Sequence, residues 1–174
     1  AQAYSGDVVQ LQADDPDPAA LGLPVPLSAQ QRVLRTTLLE GLVAAARHNV
    51  DVGNERVALF EVAHVYLPTE GALPEERWRV AGIAEGSFFR AKGAVELLFE
   101  ALEAEPRFEP APHPFMPTPA SAKVPGGWVA QLDPSRLDGE WGVFELDLAD
   151  VFARVPERVI YKDVVTFPEV KQDV

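Results

Sequence analysis

Apolar residues recur at helical spacing from Leu38 onward, where Leu38, Leu39, Leu42, Val43, Ala45 and Ala46 form a broad stripe. Glu40, Ala44, Arg47 and Asp51 follow the opposite side, as an amphipathic helix requires. Thr37 and Glu40 have the spacing of a capping box, in which hydroxyl and carboxylate each satisfy an orphan backbone N–H. Asn49 and Gly53 supply stop signals. Gly41 costs about 1 kcal/mol relative to alanine inside a helix, which implies a close-packed neighbour. From Arg56 to Leu67 the period changes to two, and both faces are apolar. Val57, Leu59, Ala63 and Val65 lie on one, and Ala58, Phe60, Val62 and Tyr66 on the other. Such a strand is expected to be covered on both sides and to lie centrally in its sheet.

Pro68 to Glu76 is a polar turn with Gly71 and Pro74, and Trp78 to Glu85 alternates again, so the two strands are expected to form an antiparallel hairpin. Gly82 inside the second strand implies a bulge or a close backbone approach. Ser87 to Leu102 returns to helical spacing, with Phe88 or Phe89, Lys92, Val95, Leu98 or Phe99, and Leu102 on one side. Six prolines between Pro106 and Pro119 exclude a helix and suit an irregular wrapping segment or an edge strand. Ser121 to Val124, Trp128 to Leu132 and Trp141 to Leu148 read as three more strands, the first two joined by a turn at Pro125-Gly126-Gly127. Asp133-Pro134-Ser135 opens a single helical turn, and Leu148 to Val155 reads as a linker with a short helix. At the start, Val8 to Leu11 reads as a short strand and the proline-rich, acidic Asp14 to Pro26 as a loop.

The 174 residues suit one domain with a substantial core. Fifteen basic against 27 acidic residues give a net charge of −12, a surface that repels phosphate backbones and speaks against a main RNA-binding role. The same charge is also what a solvated acidic exterior requires. Without cysteine there are no disulfides and no thiolate metal sites. No apolar run approaches the roughly 20 residues of a membrane span, and no signal-peptide layout opens the chain, so a cytoplasmic location is the default expectation.

The run Leu34-Arg35-Thr36-Thr37-Leu38-Leu39-Glu40-Gly41-Leu42, Asn49 at the helix end, and Leu59-Phe60-Glu61-Val62 after a short turn resemble the β subunit of bacterial phenylalanyl-tRNA synthetase. Within that subunit they resemble its class II catalytic-like module. Ser87-Phe88-Phe89-Arg90-Ala91-Lys92-Gly93 followed by Ala94-Val95-Glu96-Leu97-Leu98 is a second match in the same order. The resemblance implies an α+β fold, an antiparallel sheet flanked by helices, built like a class II aminoacyl-tRNA synthetase. It implies that the chain begins inside its domain, because a helix and a strand precede the equivalent of Tyr4-Ser5 in the family. It divides the chain into a catalytic-like module over residues 1–165 and, from Thr166, the start of a ferredoxin-like anticodon-binding domain over 166–174. Arg35 is expected to anchor the short strand that leads into the first helix. Two departures stand out: the family's His-Pro-Gly type of motif falls near Pro117-Thr118-Pro119, and its His-Pro near Asp133-Pro134.

No constellation for chemistry emerges. An active class II synthetase places an arginine two residues before the glutamate of its motif-2 strand, to hold the ATP α-phosphate. With Glu61 as that glutamate the position is Leu59, which offers phosphate no charge-assisted hydrogen bond. Gly126-Gly127 runs into Trp128 rather than into the family's second ATP-binding arginine, and no phosphate-binding glycine loop is present. His48, His64 and His113 are isolated, without a second ligand at metal spacing. His64 suits a hydrogen-bonded core position and His48 the helix macrodipole. No Gly-x-Ser-x-Gly elbow supports a nucleophile. The pairs Asp14-Asp15 and Glu75-Glu76 lie in loops, as solvated acids do, and Lys92 reads as a solvated or stem-packed lysine.

The resemblance, with no constellation for chemistry beside it, implies a non-catalytic interface module supporting ATP-dependent charging of tRNA(Phe), with no catalytic, cofactor or metal residue of its own. The resemblance assigns ATP and magnesium to a partner α subunit in an (αβ)2 complex, with little direct RNA contact by this segment and no DNA or membrane partner. Candidate contacts are the helix faces around Leu38 to Leu42 and Val95 to Leu102, with burial in the module's own core expected for most of these residues. The alternative is a repurposed class II-like binder of an amino acid or nucleotide.

Overall fold

The computed structural model describes residue 22 and residues 33–70, 73–112 and 120–157. The expected strand at Val8 to Leu11, the loop from Asp14 apart from Gly22, His113, the Pro117–Pro119 segment and the boundary near residue 165 lie outside the described residues. Gly22 forms an isolated antiparallel bridge with Val33.

Helix α1 spans Leu39–Asp51 and buries Leu39, Leu42, Val43 and Ala46. The capping box does not form. Leu38 holds the N-cap position, Thr37 Oγ1 accepts the Leu39 N–H at 3.1 Å, and Glu40 turns away to pair with Arg136. The second carboxylate of the cap comes from the distant Glu145, which accepts the Leu38 N–H. The helix ends as its stop signals require: Gly53 sits at φ +82°, its N–H bonds the Val50 carbonyl, and the Asn54 N–H bonds that of Asn49. Gly41 has no tight neighbour; a Cβ there would make ordinary contact with Glu61.

Strands β1 (Ala58–Leu67) and β2 (Glu75–Glu85) form the expected antiparallel hairpin. After α2 (Phe88–Ala101) come β3 (Glu109–Pro110), β4 (Ser121–Val124), β5 (Gly127–Gln131), β6 (Trp141–Asp147) and the short α3 (Leu148–Phe152). All strand neighbours are antiparallel, in the order β1-β2-β6-β5-β4-β3, so the molecule is α+β with helices on both faces of one sheet. Here β1 departs from expectation: it is an edge strand, not a central one. Leu59, Ala63, Val65 and Leu67 pack beneath α1, but on the other face Phe60 is 76% and Val62 46% exposed.

Gly82 is a site of close approach rather than a bulge. Pairing runs through it unbroken, and a Cβ there would lie 2.5 Å from the Phe144 ring. Helix α2 buries Ala91, Val95 and Phe99 against the face of the sheet opposite α1, with Leu98 and Leu102 half-buried. The proline-rich segment supplies β3 at the other edge, as its composition allows. Asp133 to Arg136 is a turn closed by the Arg136 N–H on the Asp133 carbonyl at 3.0 Å, not a helical turn. Asp147 caps α3 by accepting the Ala149 N–H at 2.9 Å. Among the described residues no helix is long and apolar enough to cross a membrane.

Candidate functional site

Arg35, 7% exposed, ties the segment before α1 to β1. Its Nε donates to the His64 carbonyl at 2.7 Å and its guanidinium to Glu61 at 2.6 Å, while its own carbonyl accepts the Tyr66 N–H at 2.7 Å. The anchoring expected of Arg35 is thus what its contacts provide, and Glu61 is neutralised by it. Leu59 packs half-buried against the apolar cluster beneath α1.

A second polar cluster lies at the start of α1. Glu145 on β6 is only 2% exposed and accepts from the Thr37 hydroxyl, the Leu38 N–H and the Arg79 guanidinium. Arg79 also donates to the Thr36 carbonyl, while its Nε is buried without a partner. Burying a carboxylate demands such pairing, because an unpaired charge in the interior costs several kcal/mol, on the order of 3–5 once one partner is lost. Nearby, Arg136 bridges Glu40, and Arg47 donates to the Arg136 carbonyl. Arg35, Arg79 and Arg136 are thus each engaged by a carboxylate near the start of α1.

The remaining candidates fall apart in space. His48 sits exposed in the last turn of α1, where the helix dipole favours a cation. His64 is not a hydrogen-bonded core residue; it is half-buried on the outer face of the hairpin, its ring 4.0 Å from that of Trp78. Lys92 pairs with Glu96 and lies 4.5 Å over the Phe108 ring, a stem-packed cation rather than a free one. Glu75 pairs with Arg77 at 2.7 Å, and that hydrogen bond and charge, helped by Asp147, hold the Arg77 guanidinium above its ordinary value. Asp133 accepts the Ser135 N–H at 2.8 Å, which holds its carboxyl below the ordinary range. Gly126 and Gly127 serve packing: a Cβ on Gly127 would lie 2.0 Å from the Glu145 carbonyl oxygen. Among the described residues no three His, Asp or Glu side chains are grouped to hold a metal. An open surface depression lies where α1 meets the hairpin, between Arg56 and Arg90.

The two helix faces named as candidate contacts are spent mostly in the module's own core, as expected for most of their residues. Leu38, Leu39 and Leu42 fill the space between α1 and the sheet together with Val65, Ile83 and Val143. Val95 and Phe99 do the same beneath α2. The apolar surface left open is on the hairpin instead, where Phe60 and Val62 are joined by Trp78, 52% exposed. Alternation in the sequence marked these positions as apolar but could not say which layer covers them.

Residues 5–148 match the family model described as the phenylalanyl tRNA synthetase beta chain CLM domain. The chain is 32% identical over 192 residues to a phenylalanine–tRNA ligase beta subunit of Bacillus cereus, covering 94% of this chain and 24% of that protein. It is 32% identical over 194 residues to the same subunit of Symbiobacterium thermophilum, covering 97% of this chain and 22% of that one. Against the Thiobacillus denitrificans subunit it is 34% identical over 185 residues, covering 93% and 23%. The chain thus spans about a quarter of the length of these relatives. Among solved structures it is similar to a pyrrolysyl tRNA synthetase, Desulfitobacterium hafniense PylSc, with a TM-score of 0.55 at 15% identity over 76% of this chain and 50% of that one. That likeness is one of fold.

Proposed function

Since the chain belongs to the phenylalanyl-tRNA synthetase beta chain CLM domain family, we propose that it is a non-catalytic structural and interface module of a phenylalanine–tRNA ligase β subunit. It supports the charging of tRNA(Phe) with phenylalanine by an α subunit, in a cytoplasmic (αβ)2 assembly. ATP and magnesium are bound by that partner, and tRNA is held by the whole complex with little contact from this segment.

The observation that carries the reading is the internal commitment of the charged groups around α1. Arg35 is held by Glu61, Arg79 by Glu145, and Arg136 by Glu40. Nucleotide binding needs a free guanidinium or ammonium for phosphate, and metal-assisted activation needs grouped oxygen ligands. Arg35, Arg79 and Arg136 are each held by a carboxylate and offer phosphate no free guanidinium, and among the described residues no three His, Asp or Glu side chains are grouped as metal ligands, which supports a reading in which the reaction runs on the partner subunit. The net charge of −12 supports the small share of RNA contact.

Co-purification of a full-length β subunit carrying this sequence with a catalytic α subunit, followed by tRNA(Phe) charging, tests the proposal. A stable complex that charges only with both chains present is the expected result. Failure to associate, or charging by the α subunit alone at the full rate, overturns it.

A further inference from the structure

We draw no further inference here: the strongest candidate, the apolar outer face of the β1–β2 hairpin at Phe60, Val62 and Trp78, carries none because nothing among the described residues shows what covers it.

Discussion

Glu145 accepts the backbone amide of Leu38 at 3.1 Å across a sequence separation of 107 residues, capping α1 from the middle of the sheet. Because the same carboxylate holds Thr37 and Arg79, its loss strands several buried donors at once. Glu145→Ala should destabilise the fold by about 3–5 kcal/mol, the range for removing one partner of a buried ion pair. Glu145→Gln, which keeps the shape, should cost about 1–3 kcal/mol. Urea titration gives both values. A midpoint that moves for neither variant would refute the role assigned to this residue.

Gly82 and Phe144 form the next test. Adding a methyl group where the Phe144 ring already stands forces the ring off its position. Gly82→Ala should lower stability by about 1–3 kcal/mol, as overpacking does. Phe144→Leu in the same chain should recover part of that loss, because a shorter side chain vacates the space. Thermal unfolding of the single and double variants decides it; simple additivity would remove the steric explanation.

Within α2, burial should separate neighbours in the same helix. Phe99 is fully buried and Phe89 is exposed. Phe99→Ala should cost about 3–5 kcal/mol, whereas Phe89→Ala should stay within about 0.5 kcal/mol. Equal losses would mean that α2 packs on a different face.

Asp133 supplies a pH test at the surface. The Ser135 N–H stabilises its ionised form, so its folded carboxyl titrates below the ordinary value of 3.8. A depressed folded value means that the contribution to stability is present above the unfolded pKa and is lost as pH falls through the folded one. Carboxyl-carbon NMR titration should place the Asp133 midpoint below that of an unfolded reference peptide. A midpoint at or above the reference would show that the turn does not hold in solution.

How far the fold can be read from the chain depends on what each signal records. The hairpin, both long helices and the late strands follow from period and turn residues, and Gly53 and Gly82 did what their positions implied. Two readings failed for a shared reason. Thr37 and Glu40 have local capping spacing, yet tertiary partners at Glu145 and Arg136 claimed both side chains. In β1, the apolar pattern on Phe60 and Val62 specifies burial without specifying by what, and the rest of this chain leaves them open. At the candidate site the chain shows Leu59 where an active synthetase has an arginine, whereas the commitment of Arg35 and Arg79 to carboxylates is a matter of geometry that residue order does not display.

The two margins of the sheet are unlike. At the far side β3 is two residues long and ends in Pro110, which has no N–H to donate. Among the described residues β1 is the long margin and β3 the short one, so addition of a further strand is favoured at one side. Filaments require every unit to offer two complementary ends, so this asymmetry steers association toward a closed complex of fixed size and away from open-ended growth.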